Sequence, residues 1–268
     1  MKFRKPMLAK NYEGHERHVI YPCYVQPKLD GIRCVTDGVR FWSRNGKLFP
    51  EINLRHLQVH GLSTLIDGEL MVDKSEHFED IVSAVKNGST LDRSLAKRIE
   101  FYVFDVLIDE PFKRRRVHAR RLIDAAQRVG TPWSRVETLQ VDSERMLRAH
   151  SRRFLLNGFE GTIIRNANGM YVSKRTIDLL KWKPIQDAEF EIVDVKEARG
   201  KDKGTPIFVC RVGLRRFRAR PTGTMQQRRK MWRDRRKLIG CQLTVEYQNL
   251  TKYGVPRFPR AKVLRDYE

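Results

Sequence analysis

The 268-residue sequence predicts an α+β domain followed by a small all-β domain. Helical spacing interleaves with turn-linked strands through the first two thirds of the chain, and Pro184 followed by polar Gln186-Asp187 interrupts that pattern. Short strands separated by a Gly/Lys-rich stretch come after it. The expected domains are therefore residues 1–185 and 186–268.

Taken in order, residues 25–43 read as antiparallel strands, with Asp37-Gly38 placed to turn a hairpin and Asn45-Gly46 marking another turn. Residues 78–85, 117–129 and 146–156 have helical spacing, and Asn157-Gly158 is a helix stop. Residues 101–108 form a strongly apolar strand. Beyond the boundary, residues 190–195, 208–212, 216–220 and 243–247 read as short strands that suit a small barrel, with the Gly/Lys-rich segment 198–205 between the first two. Residues 225–238 predict a basic helix with Met231 and Trp232 turned inward. Its arginines fit a solvated face and a DNA-contacting face equally well.

Fifty-four Lys and Arg against 32 Asp and Glu give a net charge of +22, densest in the C-terminal third. Such a balance attracts polyanions and disfavours a basic partner. No apolar run approaches the roughly 20 residues of a membrane span, and the first ten residues lack the apolar core of a secretory signal. The expectation is a soluble cytoplasmic protein with no membrane partner. The four cysteines form no CxxC pair, which argues for free thiols over a zinc knuckle or a disulfide framework. Without heptads or a large apolar patch, a monomer is expected.

The chemistry concentrates in Lys28-Leu29-Asp30-Gly31-Ile32-Arg33, where an amine stands beside a carboxylate and a guanidinium in a tight turn. A lysine attacks only when neutral, which requires nearby cations or desolvation. Four other segments could join it: Ser43-Arg44-Asn45-Gly46, Asp67-Gly68-Glu69-Leu70, Glu160-Gly161-Thr162-Ile163-Ile164-Arg165, and Leu179-Leu180-Lys181-Trp182-Lys183. Taken singly, Glu69 and Glu160 are more often exposed turn acids. Here each adjoins a glycine that permits close backbone approach and precedes a strand-like run. Carboxylates converging near phosphates are natural magnesium ligands. Strand periodicity sets Lys181 and Lys183 on one face, to bind a polyphosphate or to face solvent.

In this order the segments resemble the nucleotidyltransferase motifs of ATP-dependent DNA ligases, a superfamily that includes RNA ligases and mRNA capping enzymes. KLDGIR resembles the adenylation motif KxDGxR, and Asp67-Gly68-Glu69, residues 101–105, EGTIIR and LLKWK resemble the later motifs. The C-terminal strands resemble the family's OB-fold, and the stretch from Arg257-Phe258-Pro259-Arg260 through Arg265-Asp266 resembles its final motif. The resemblance implies an adenylation domain of antiparallel sheets and helices followed by an OB-fold domain.

It further implies that Lys28, beside Asp30, attacks the α-phosphate of ATP, that AMP passes to the 5′-phosphate of a nick in duplex DNA, and that a 3′-hydroxyl seals the strand. Gln26 would read the adenine edge and Phe104 stack on the base, although a core aromatic accounts for Phe104 equally well. Arg33 and Glu69 would lie near ribose and metal. Glu160 is the stronger ligand for Mg2+, or for Mn2+ in its place. Lys181 and Lys183 would stabilise charge on the α-phosphate, Arg265 would approach the pyrophosphate, and Arg44 would grip the 5′-phosphate. Arg216, Arg218 and Arg220, within the basic run 215–237, would meet DNA phosphates. The chain ends Arg265-Asp266-Tyr267-Glu268, without the lysine often found after that aspartate. Only 27 residues precede Lys28, so no separate helical DNA-binding domain is expected before it, and no long insertion among the barrel strands suggests a clasp. The rival readings are a GTP-dependent capping enzyme, an ATP-dependent RNA ligase, and a non-catalytic nucleic-acid-binding protein. EGTIIR and RFPR look more like a DNA ligase than the first two, and the intact lysines and acids argue against the third.

Overall fold

The computed structural model describes residues 1–72, 78–86, 93–251 and 253–265, leaving aside the side chains of 93 and 263–265. The chain divides into two compact units, Met1–Lys183 and Pro184–Glu268, a division two residues ahead of the one the sequence suggested.

In the first unit the strands are β1 (Leu8–Asn11), β2 (Cys23–Lys28), β3 (Ile32–Thr36), β4 (Phe41–Ser43), β5 (Ile66–Met71), β6 (Glu100–Val106), β7 (Trp133–Arg135), β8 (Leu139–Val141), β9 (Gly161–Asn166) and β10 (Arg175–Trp182). The helices are α1 (Glu51–Leu54), α2 (Phe78–Lys86), α3 (Arg93–Ala96), α4 (Phe112–Arg128) and α5 (Glu144–Leu156). One sheet has the order β1-β10-β9-β2-β8 and the other β4-β3-β5-β6-β7, antiparallel except for the β1–β10 and β6–β7 pairs.

Strand alternation gives each sheet two apolar faces, so both are covered twice. Cys34, Leu70 and Phe101 face outward from the second sheet onto Leu54, Ile81, Ala96 and Ile123 of the first four helices. Val25, Ile164 and Leu180 of the first sheet meet Leu147 and Phe154 of α5. Between the sheets lie Met7, Val35, Trp42, Tyr171 and Leu179. The result is a layered unit in which the two inner sheet faces leave room for a cavity.

Residues 25–43 do not form one antiparallel group. The β3–β4 hairpin turns at Asp37-Gly38 as expected, but β2 belongs to the other sheet, and KLDGIR carries the chain across the seam between them. Helix α4 begins five residues before the expected start, because Lys113-Arg114-Arg115-Arg116 reads as solvated whereas Arg115 is fully buried. Helix α5 stops where Asn157-Gly158 predicted, and Phe159 N–H donates to Phe154 O at 3.0 Å.

The second unit contains β11 (Gln186–Glu197), β12 (Pro206–Val212), β13 (Arg215–Pro221), α6 (Met225–Arg233), β14 (Gln242–Tyr247) and β15 (Arg260–Arg265). The strands close into a barrel of order β11-β12-β13-β15-β14, with only β13 and β15 parallel, which is the five-stranded Greek-key arrangement of an OB-fold. Ile192, Phe208, Phe217, Leu243 and Ala261 fill it. A capping box between Thr224 and Gln227 starts α6. Met231 packs on the barrel core, whereas Trp232 is half-buried, with the Arg235 guanidinium 4.3 Å from its ring centre.

Candidate active site

Lys28 closes β2 and Ile32 opens β3, so the link between the sheets is the three residues Leu29-Asp30-Gly31. A Cβ on Gly31 would stand 2.4 Å from Leu70 O and 2.4 Å from Met71 Cγ, so only glycine lets the link pass this close to β5. Opposite Lys28 in the β2–β9 register is Gly161, where a Cβ would lie 2.2 Å from Trp182 O. Glu160 N–H donates to Lys28 O at 3.1 Å, bringing the EGTIIR and KLDGIR segments together through their backbones.

The Lys28 ammonium pairs with Glu160, and the other oxygen of the same carboxylate holds Lys183. Burial pushes the Lys28 pKa below the usual lysine range, against the nearby carboxylates of Glu69 and Asp30, and the Arg33 charge adds to the lowering. Lys181 shifts down for the same reason, first by burial and then through Lys28, Arg175 and Arg44. Both shifts favour a neutral amine among cations.

These side chains line a cavity of about 270 Å³ within the first unit. One end is cationic, with Lys28, Lys181, Lys183, Arg44 and Arg175. The other end is apolar, with Leu29, Phe104 and Val136 around the buried amide of Gln26. An apolar pocket with a few placed polar groups beside a cluster of cations suits an aromatic base attached to phosphates.

A charged network supports the apolar end. Asp67 and Asp105 are direct cross-strand neighbours, an arrangement that destabilises a sheet unless the charges are neutralised. Arg33 takes Asp67 through two bonds of 2.6 Å, and Tyr171 OH donates to the same carboxylate at 2.6 Å. Asp105 receives Arg115 Nε at 2.7 Å and Arg165 Nη1 at 2.6 Å. The register shift in β6 opposite Asp67/Gly68 inserts an extra residue, which turns both Phe104 and Asp105 to the inner face. The Arg33 guanidinium lies 4.5 Å from the Phe104 ring centre, fixing that ring at the cavity wall.

Of the residues singled out in the sequence, Gln26, Lys28, Arg33, Arg44, Glu69, Phe104, Lys181 and Lys183 all line this cavity. Asp30 and Glu160 adjoin Lys28. In the second unit Arg216, Arg218 and Arg220 alternate with inward Phe217 and Ala219 on the outer face of β13, and Arg220 is paired with Asp202 at 3.1 Å. Arg265 ends β15, but its side chain and all of Asp266 lie outside the described residues. Sequence reasoning missed Arg175, which no motif marks, and gave no role to Arg165, the last residue of EGTIIR.

For a divalent cation, the donor chemistry fits. Glu69 is a half-buried carboxylate on the cavity wall whose pKa is pushed up to about 7 by desolvation, against Arg33 and Lys28. It is a hard oxygen donor with its negative charge under-compensated, and a cation there would favour its ionised form. Glu160 supplies a second carboxylate beside Lys28.

A lysine of lowered pKa lies in a cationic cavity between two sheets, in a chain that continues into a closed five-stranded barrel of the OB-fold kind. Residues 6–183 match the family model described as the ATP dependent DNA ligase domain, and residues 204–265 match that of the DNA ligase OB-like domain. The chain belongs to the ATP-dependent DNA ligase family. The DNA ligase of African swine fever virus (isolate Warthog/Namibia) is 28% identical over 265 residues, which covers 90% of this chain and 63% of the viral protein. The DNA ligase of Haemophilus influenzae is 25% identical over 243 residues, covering 86% of this chain and 82% of that one. A solved structure from a structure-function study of Lig E DNA ligases, on DNA binding with a minimal scaffold, matches with a TM-score of 0.80 at 25% identity, over 98% of this chain and 100% of that one. Chlorella virus DNA ligase-adenylate matches with a TM-score of 0.58 at 26% identity, over the whole of both chains. Among the described residues no helix is long and apolar enough to cross a membrane.

Proposed function

We propose that this chain is an ATP-dependent DNA ligase that seals nicks in duplex DNA, working as a monomer. The observation that carries the reading is the Lys28 amine, held at the seam of the two sheets among Lys181, Lys183 and Arg44, with its pKa pulled down by burial. Lysine is suited to the role because it can lose its proton, whereas arginine cannot.

The neutral Lys28 Nζ attacks the α-phosphorus of ATP. An N–P bond forms, the bond to the bridging oxygen of the β-phosphate breaks, and pyrophosphate leaves. The 5′-phosphate oxygen of the nick then attacks the same phosphorus and returns the lysine. Last, the 3′-hydroxyl loses its proton and attacks the 5′-phosphorus, releasing AMP as the phosphodiester forms. Asp30 helps orient the amine. Lys181 and Lys183 stabilise charge on the α-phosphate, and Arg44, exposed at the cavity, grips the 5′-phosphate. Arg33 and Glu69 border the ribose, Phe104 stacks on adenine and Gln26 reads its edge. Arg265 approaches the pyrophosphate, while Arg216, Arg218 and Arg220 hold backbone phosphates. Glu160 and Glu69 would hold Mg2+, which when bound supplies charge neutralisation at phosphate oxygens. The two units, Met1–Lys183 and Pro184–Glu268, divide nucleotide chemistry from DNA clamping.

The test is incubation of purified protein with Mg2+ and α-labelled ATP or GTP, denaturing electrophoresis, and then nicked DNA or nicked RNA. Label from ATP on the wild type, none on Lys28→Ala, and joining of nicked DNA are expected. Label from GTP alone would move the reading to capping, and joining restricted to RNA would move it to RNA ligation. No label from either, in protein shown free of prior adenylate, would leave a nucleic-acid-binding protein.

A further inference from the structure

We infer that Arg165 is a specificity-determining positioning residue, which makes the cavity select adenine over guanine by locking the side-chain amide of Gln26 in one orientation. This rests on the reading that the cavity holds the nucleotide, and it concerns how the base is chosen.

A glutamine amide can sit either way round, and turning it over exchanges an acceptor for a donor. Gln26 is 3% exposed and lies at the apolar end of the cavity, where a base would be placed. Two neighbours decide its orientation. Arg165 Nε, which can only donate, lies 2.7 Å from Gln26 Oε1. On the other side, Gln26 Nε2 is 2.9 Å from Thr138 Oγ1, whose own hydrogen goes to Val136 O at 3.0 Å. Thr138 is thereby left as an acceptor. A reversed amide would set its NH2 against the guanidinium, which has no acceptor to offer, and its oxygen could bond Thr138 only if that hydroxyl gave up Val136 O.

Arg165 cannot yield. It is 3% exposed, its Nη1 bonds Asp105, and its guanidinium lies 4.6 Å from the Phe112 ring centre. Asp105 already has a two-bond partner in Arg115, so Arg165 adds a second positive charge to a dry place. Charge pairing at Asp105 does not account for it. The arm left over from that pair ends on Gln26.

The consequence is a fixed polarity facing the cavity: the second lone pair of Oε1 and the second hydrogen of Nε2. Adenine carries an amino donor at C6 and guanine an oxygen acceptor. The locked carbonyl accepts from the adenine amino group and meets the guanine oxygen lone pair to lone pair. Such buried mismatches can reject an analogue by about 10⁴–10⁵. An amide free to turn over would lose much of that discrimination.

The test is single-turnover formation of the enzyme–nucleotide adduct, with kcat/KM measured separately for α-labelled ATP and GTP, in wild type, Arg165→Met and Thr138→Val. The ATP-to-GTP ratio is expected to fall about tenfold or more in Arg165→Met, with GTP labelling rising in absolute terms, and to fall less in Thr138→Val, where Arg165 still holds Gln26 Oε1. A merely structural role would depress both nucleotides together and leave the ratio unchanged, and that result overturns the inference. If Arg165→Met does not fold, Arg165→Lys decides, because its single ammonium can stay with Asp105 and withdraw the donor from Gln26. A wild type labelled by neither nucleotide overturns the ligase reading beneath it and the inference with it. A wild type labelled by ATP, with the ratio intact in the folded Arg165 variant, overturns the inference alone.

Discussion

Asp105 is the only described acid that meets both Arg115 and Arg165, so removing its charge tests whether electrostatics or shape holds the inner face of the first unit. Asp105 and Arg115 are fully buried and Arg165 nearly so. Without Asp105, two guanidiniums stay in the interior without the carboxylate they share, and the nearby Asp67 is already taken by Arg33. Breaking a buried pair in this way costs about 3–5 kcal/mol. The lower end applies here, because Arg115 keeps Glu110 O and Gly169 O, and Arg165 keeps Gln26. For a unit of this size about 3 kcal/mol lowers Tm by roughly 6–12 °C. Thermal unfolding followed by circular dichroism at neutral pH reads the shift directly. The informative variant is Asp105→Asn, which preserves shape and one carbonyl acceptor but removes the charge. If charge is what matters, Asp105→Asn loses nearly as much as Asp105→Ala. An Asp105→Asn protein that melts within about 2 °C of the wild type would refute this account of the network.

The remaining predictions concern the link, the Glu69 carboxylate, the Lys28 amine and the barrel. Gly31→Ala forces a Cβ onto Leu70 O and Met71, so it should cost about 1–3 kcal/mol in thermal unfolding and slow adduct formation from ATP. Glu69 has a folded pKa raised from 4.5 to about 7, so the folded state binds the extra proton between those values. In metal-free buffer, stability attributable to this group is therefore full below about pH 4.5 and lost as pH rises to 7, by up to roughly 3 kcal/mol. Glu69→Gln should flatten that slope of Tm against pH, and an unchanged slope would assign it elsewhere. Because the Lys28 pKa is lowered, adduct formation should rise with pH and level off below the range of an ordinary lysine, as a pH series of single-turnover rates would show. On nicked DNA, Arg216→Ala and Arg218→Ala should each reduce the magnitude of the slope of log affinity against log salt by about one, whereas Arg220→Ala should reduce it less because Asp202 already offsets that charge. Slopes equal to that of the wild type in all three variants would remove β13 from the DNA-binding surface.

What could be read from the sequence, and what could not, follows from how far each signal extends along the chain. Lys181 and Lys183 could be set on one face because alternation is local, and the structure decides between solvent and cavity for that face: Leu180 and Trp182 pack on the α5 side of the sheet, which leaves the lysines on the cavity side. The barrel was legible from Phe208, Phe217 and Leu243 in short alternating runs, but β15 was not read as a strand, since Arg260, Lys262 and Arg265 hide the inward Ala261. The β2–β3 misreading has a different cause. Both segments look like strands of a hairpin, and nothing within either one says that its partners are β9 on one side and β5 on the other, more than a hundred and about thirty residues away. That pairing depends on which sheet each apolar face covers. The buried arginines are invisible for a related reason: Arg115 and Arg165 read as solvated charges until Asp105, ten and sixty residues away, is brought between them. Local motifs thus mark residues that line the cavity, whereas the groups that hold those residues in place are supplied by distant parts of the chain. Arg165 belongs to both sets. It sits inside a recognisable motif next to the metal-ligand candidate Glu160, yet its side chain reaches Gln26, which is where its effect on the choice of base would be exerted.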